Sequence, residues 1–276
     1  MFVIEIPYFN LDHIYNSGQA PRWIKLKEGK YIVPYKDKAL KIEQQRNRFD
    51  WTRHRIIMNC TEDDFYNVWF EYFDLRTDYL KENCKVRKLG GKFKKIANRG
   101  HGVHILRQDI FEAFVLSRLI KNLGYEEAAK ILNHIAEACG IKHVQSMREA
   151  GRITWYEFPT PEMILENFKN LCLAGKASVW LKNVCQTIVH DGFDVGEYLM
   201  TTSDSGNELA KLLVLHEADN FPLDGIKDTL AKNFDCDPED FADWYLDKVE
   251  NKGLVYMYIV HHILNKPKEL ALYGID

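Results

Sequence analysis

Ser17-Gly18-Gln19-Ala20-Pro21-Arg22-Trp23, preceded by Leu11-Asp12-His13-Ile14, is the first of six short strings whose order along the chain decides the fold. Tyr72-Phe73-Asp74-Leu75 and Gly102-Val103-His104-Ile105-Leu106-Arg107-Gln108-Asp109 come next. Phe158-Pro159-Thr160-Pro161, Phe221-Pro222-Leu223-Asp224 and Gly253-Leu254-Val255-Tyr256-Met257-Tyr258 complete the series. No single string decides; the ordered set does. Around the first of them the chain is β-leaning. Tyr31-Ile32-Val33-Pro34-Tyr35 and Ala39-Leu40-Lys41-Ile42 flank the turn Lys36-Asp37-Lys38, and Arg55 to Cys60 is a further candidate strand. Thr61-Glu62-Asp63-Asp64 then supplies an N-cap and an acidic first turn for a helix through Phe70.

From about residue 107 the periodicity changes from 2 to 3.6. Ile110, Phe114, Ser117 and Ile120 begin one amphipathic helix, and Ala128, Ile131, Leu132, Ile135 and Ala138 mark the next, which ends at Gly140. Further helices are predicted from Pro161, over 177–189, 209–215, 226–233, 241–250 and 254–264. The expected class is α+β: an N-terminal antiparallel β domain with a helix over residues 1–95, and an all-helical domain over 96–276.

Composition bounds the function. The 276 residues are 46% hydrophobic and carry a net charge of −3, which excludes a disordered chain. No apolar run reaches the roughly 20 residues a membrane span needs, and the N-terminus lacks a signal-peptide pattern, so a cytoplasmic address is expected. Six scattered cysteines and the dispersed histidines offer no metal-ligand spacing; no metal and no organic cofactor is expected. His261-His262 is the one adjacent histidine pair, and such neighbours on a helix do not face a common ion. Charge is asymmetric: residues 1–100 hold 20 Lys/Arg against 13 Asp/Glu, and the remainder 17 against 27. The basic excess centres on Lys81 to Lys95, a solvated loop or a phosphate-binding surface.

The six strings together resemble the 8-oxoguanine DNA glycosylases, enzymes of base excision in DNA repair, over nearly the whole chain. The resemblance implies the helix–hairpin–helix glycosylase architecture, base flipping from duplex or single-stranded DNA, and hydrolysis of an N-glycosidic bond. By this resemblance Asp224 is the catalytic carboxylate that stabilises positive charge developing on the deoxyribose; its position equally suits the N-cap of the following helix. Bifunctional relatives carry a Gly-x-Lys string whose amine forms a Schiff base with the sugar. The corresponding string here is Gly206-Asn207-Glu208, and a glutamate forms no Schiff base. Lys211, one turn later, reads as a solvent-facing helix lysine. Glu208 either assists Asp224 in activating water or caps a helix.

The hairpin and pocket depart too. Ser205, Gly206 and Asn207 stand where the family's hairpin meets a DNA phosphate, with Asp204 in the loop. The implied base pocket contains Gly18, Leu212, Tyr256 and Val260, the last two replacing the family's guanine-reading glutamine and stacking aromatic. Asn122 matches the strip that enters the base stack. Glu127 replaces an arginine that holds the orphaned base, and Gly175, beside Lys176, replaces a wedge tyrosine. Several missing base readers, at about 1–3 kcal/mol each, argue against 8-oxoguanine specificity. The sequence supports a monofunctional DNA N-glycosylase of altered base preference, or a catalytically silent descendant that binds DNA or a protein partner on the same scaffold.

Overall fold

A computed structural model describes residues 1–46, 53–173, 175–202, 210, 211, 213, 237 and 249–272. Five antiparallel strands open the chain: β1 (Phe2–Pro7), β2 (Ile24–Lys27), β3 (Lys30–Tyr35), β4 (Lys38–Arg46) and β5 (Arg53–Met58). Their spatial order is β1-β5-β4-β3-β2, so the first strand pairs with the last. Alternation puts Ile6, Tyr31, Val33, Leu40, Ile42, Ile56 and Met58 into one apolar cluster, against Phe65, Trp69, Tyr72 and Phe73. Those aromatics come from α2, a continuous helical segment made of Glu62–Asp64, the π-helical turns Phe65–Trp69, and Phe70–Tyr72, with Phe73 closing it. Thr61 caps it, its Oγ accepting from Asp64 N at 3.0 Å, as the sequence predicts.

The short helix α1 (Leu11–Tyr15) sits between β1 and β2, with Asn10 Oδ1 accepting from His13 N. Then follow α3 (Tyr79–Lys88), α4 (Gly91–Arg99), α5 (Ile110–Leu123) and α6 (Tyr125–Cys139). The basic run Lys81 to Lys95 is therefore two helices joined at Leu89-Gly90, not a loop. After α6 come α7 (Pro161–Asn167), α8 (Gly175–Asp191), α9 (Val195–Thr201) and α10 (Lys252–Leu272). Asp109 caps α5 and Thr160 caps α7. These helices bury a second cluster, with Phe114, Leu116, Leu132, Leu181, Leu199 and Tyr258 inside it. Among the described residues no helix is long and apolar enough to cross a membrane. Cys139 and Cys185 are buried free thiols, whereas Cys84 and Cys172 are exposed.

An antiparallel hairpin interrupts the helical part: β6 (Lys142–Met147) pairs with β7 (Gly151–Tyr156). The all-helical expectation passed over it. Its tip rests on the outer face of the first sheet, where Glu149 Oε2 accepts from Lys30 Nζ at 2.7 Å and Lys41 Nζ at 3.4 Å. Lys41 also donates to the Arg148 carbonyl at 2.6 Å.

A buried ion pair makes another tie between the two parts. Arg22, from the Ser17–Trp23 string, donates to Glu112 of α5 at 2.7 and 3.2 Å and to the Tyr156 carbonyl at 2.8 Å. Burial pushes the Glu112 carboxyl up, and Arg22 pulls it back. A charge left alone there has no solvent to turn to. Arg22→Met should cost about 3–5 kcal/mol in denaturant unfolding, and Arg22→Met with Glu112→Leu should recover most of that loss. An equal cost for the single and double variants would show that the pair is not the source.

Histidine burial gives the fold a pH dependence. His13 and His104 are both lowered to about 4, in each case chiefly by desolvation, with the like charge of His101 adding at His13. Unfolded histidine titrates near 6.5. Below that value the unfolded chain binds protons that the folded chain refuses, so stability is full above about pH 6.5 and falls towards pH 4 by a few kcal/mol. Thermal melts should show this decline, and His13→Gln should make it shallower.

Candidate active site

The Ser17-Gly18-Gln19 turn is built from its hydrogen bonds. Ser17 Oγ donates to the Ile14 carbonyl at 2.6 Å, which closes the end of α1. Gln19 is fully buried and uses both ends of its amide: Nε2 donates to Ser17 Oγ at 2.9 Å and the His104 carbonyl at 2.7 Å, while Oε1 accepts from Leu106 N at 2.7 Å. Gln108 Nε2 donates to the Gln19 carbonyl. His104 lies behind, its ring nitrogens 3.0 Å from the carbonyls of Phe73 and Tyr8. Held neutral by burial, that ring has one N–H and donates to one of the two. The turn thus sits on a network that reaches the segment before α5 and, through His104, the end of β1 or of α2.

Gly18 takes φ of +86°, a left-handed conformation that glycine adopts without steric cost. A Cβ placed there would lie 2.8 Å from Leu264 Cδ1, 3.6 Å from Tyr125 Cε2 and 3.6 Å from Val260 Cγ1. The structure therefore brings together Gly18 and Val260, two of the residues assigned to the base pocket. Tyr125 and Leu264 complete this patch and were not anticipated; only their placement after a helix-breaking glycine and on the Val260 face of a helix could have pointed to them. Burial pushes the Tyr125 phenol up to about 12, so it stays protonated and can donate. Asn265 Nδ2 donates to the Asn16 carbonyl at 3.1 Å, which ties α10 to the turn before Gly18.

Tyr256 is half-buried and packs against the helical core. Asn122 is exposed near the end of α5, its Nδ2 donating to the Arg118 carbonyl at 3.0 Å. It stands three residues before Tyr125, so the α5–α6 turn borders the Gly18 patch. Glu127 is exposed and paired with Lys130 at 3.3 Å. Lys176 is exposed in the first turn of α8, next to Gly175, whose missing side chain leaves open space. Asp224, Glu208, Ser205, Gly206, Asn207 and Leu212 lie outside the described residues, as do the predicted helix over 226–233 and most of those over 209–215 and 241–250.

Lys211 corrects one expectation. It is half-buried rather than solvent-facing, and its Nζ donates to the Thr202 carbonyl at the end of α9. Three histidines form a cluster of their own. His13 and His101 rings meet edge to face at 4.5 Å, and His261 lies 5.1 Å from His13. His262 turns the other way, to Arg99 Nη1 at 2.8 Å. The adjacent pair thus addresses two separate partners, and no group of metal-ligating side chains forms among the described residues.

Residues 1–114 match the family model of the 8-oxoguanine DNA glycosylase N-terminal domain. Solved structures match over nearly the whole chain. The Clostridium acetobutylicum 8-oxoguanine glycosylase/lyase, bound to duplex DNA with cytosine opposite 8-oxoG, superposes with a TM-score of 0.76 at 22% identity, covering 98% of this chain and 99% of that one. The fold is that of the 8-oxoguanine DNA glycosylases. MBOgg1 in complex with a low-affinity DNA ligand gives 0.75 at 20% identity, covering 97% and 96%. The Archaeoglobus fulgidus 3-methyladenine DNA-glycosylase gives 0.67 at 14% identity, covering 98% and 100%. No curated protein matches the chain. Within this glycosylase fold, the strings Ser17 to Trp23, Tyr72 to Leu75 and Gly102 to Asp109 all fall in the matched N-terminal region.

Gly18 gives a direct test of the patch. Gly18→Ala should destabilise the protein by about 1–3 kcal/mol, because the backbone strain remains even after Leu264 swings aside. Denaturant melts measure it, and an unchanged midpoint would show that the turn relaxes.

Proposed function

We propose that this chain is a monofunctional DNA N-glycosylase whose base preference differs from 8-oxoguanine, with Asp224 as its catalytic carboxylate. The observation that carries the reading is the fate of the amine. Glu208 stands at the Gly-x-Lys position, and the neighbouring Lys211 is engaged with the Thr202 carbonyl. Without an amine nucleophile the reaction ends at an abasic site. The N-glycosidic bond breaks with its electron pair going to the base, the sugar takes on positive charge beside the Asp224 carboxylate, and water adds at the anomeric carbon after giving up a proton. Glu208 is the second carboxylate available to accept that proton. In this reading Ser205, Gly206 and Asn207 are the residues that meet a phosphate, and exposed Asn122 of α5 and Lys176 of α8 are further contacts to the strand.

Base selection falls to Gly18, Leu212, Tyr256 and Val260. Val260 supplies no ring to stack on, and Tyr256 replaces an amide reader with a phenol. With the Tyr125 phenol beside Gly18, the pocket is apolar with two hydroxyls, suited to a base lacking the edge pattern of 8-oxoguanine.

One observation favours a second reading, a silent scaffold that binds DNA or a protein: Leu264 fills the space over Gly18. A flipped base must displace that side chain. Single-turnover base release separates the two readings. Duplex and single-stranded oligonucleotides bearing 8-oxoguanine, uracil, alkylated bases and bulky modified pyrimidines would be incubated, then cleaved with alkali. We expect release of one substrate class, no nick before alkali, no borohydride-trapped adduct, and a loss of roughly 10²-fold or more in Asp224→Asn. Release at full rate by Asp224→Asn would sink the assignment, and silence across the panel would leave the scaffold reading.

A further inference from the structure

The segment from Asn83 to Gln108 contains eight Lys or Arg and no carboxylate, in a chain whose net charge is −3. Its first part covers α3 from Asn83 onward and all of α4. Buried Tyr79, Val86, Phe93, Ile96 and Ala97 fix the inner face of that pair in the helical core. Asn83 locks the two helices together: its Nδ2 donates to the Ala97 carbonyl and to Tyr258 Oη of α10, both at 2.9 Å. The outer face carries Lys81, Arg87, Lys88, Lys92, Lys94 and Lys95, all exposed.

A solvated helix face ordinarily interleaves acids with bases at three- and four-residue spacing, which stabilises the helix. Here most of the spacings are like-charged, Lys81, Lys85 and Lys88 along α3 and Lys92, Lys95 and Arg99 along α4, with Glu82–Lys85 the one acid–base pair within either helix. Each like-charged pair opposes the helix it sits on. Lys85 has carboxylate partners, Glu82 at 3.1 Å and Glu250 at 2.8 Å. Among the described residues, Lys88, Lys92, Lys94 and Lys95 form no ion pair. At the far end of the stripe, Arg99 binds His262, two residues from Val260 of the Gly18 patch.

We propose that the outer face of α3 and α4 is a second binding surface for duplex DNA, gripping the phosphate backbone outside the base pocket and running to it at Arg99. The inference rests on the reading that this chain acts on DNA, and it goes beyond that reading by placing backbone contacts on a face that the chemistry does not use. The rigid core behind the lysines holds the charges in one array before DNA arrives. Phosphates that replace condensed counterions along it release salt, so the contribution must be steeply salt-dependent.

The test uses the full chain and an undamaged duplex, with affinity followed by fluorescence anisotropy across a salt series. Reversal of Lys88, Lys92, Lys94 and Lys95 to Glu should flatten the log–log salt slope by about 3–4 and weaken binding at least tenfold, at roughly 0.9 for each phosphate that is no longer neutralised. Lys→Gln at the same four positions adds no new acids and should move both quantities in the same direction, which guards against a misfolded variant. A matched reversal of Lys27, Lys36, Lys142 and Arg152 changes net charge equally and should leave the slope near that of the wild type. An unchanged slope in the α3–α4 variants, an equal loss in the matched set, or no duplex binding by the wild type would overturn the proposal. Base release is read separately: its absence from a wild type that still shows this face-dependent slope would remove the catalytic reading and leave the binding surface standing.

Discussion

The side-chain amide of Gln19 is the constraint on which most of this architecture hangs. It is fully buried, so each of its polar atoms must find a partner or cost several kcal/mol. The partners it finds belong to separate stretches of chain: the end of α1 through Ser17, and the segment before α5 through His104 and Leu106. His104 passes the constraint on to the end of β1 or of α2, its single N–H donating to the Tyr8 or the Phe73 carbonyl. Such a network fixes register as an apolar contact does not, because a slip of one residue would strand several buried groups at once. The left-handed turn at Gly18 is held in place by these neighbours rather than by its own propensity.

Much of the fold was legible because local chemistry and tertiary packing agree. Thr61 is an N-cap in the structure as in the sequence, a helix does open at Pro161, and the β3–β4 pairing falls on the two β-leaning runs around Lys36-Asp37. The hairpin over residues 142–156 was missed although its alternation was available, since Trp155 and Met147 are its only well-buried side chains and the tip ends in Glu149-Ala150-Gly151. Most of its stability comes from pairing and from docking on a distant sheet, which no local window contains. The basic run failed differently. It read as a solvated loop or a phosphate-binding surface, and the loop alternative fell because Phe93, Ile96 and Val86 recur at helical spacing beneath the lysines, where burial of that stripe outweighs the repulsion above it.

For the site, the meeting of Gly18 with Val260 came from ordered strings rather than from any local signal, as the two are 242 positions apart and nothing in either segment points to the other. Leu264 and Tyr125 were illegible for the same reason: each is an ordinary apolar helix residue until the turn at Gly18 arrives beside it. Lys211 shows the converse limit. Helical periodicity put it on the outside, yet the end of α9 lies within reach and its carbonyl takes the amine.

The hairpin tip has a mechanical consequence. Glu149 adopts φ of +67°, unfavourable for a residue with a side chain, and from there its carboxylate receives both Lys30 and Lys41. Together with the Arg22–Glu112 pair at the opposite end of β7, this makes β6 and β7 a strut between sheet and helices. A torque applied to the helical part, as when a bound polymer is bent, cannot be absorbed by rotation about the 74–78 connection between α2 and α3 alone. The load passes through the strut into the five-stranded sheet, and the sheet serves as ballast for whatever the helices grip.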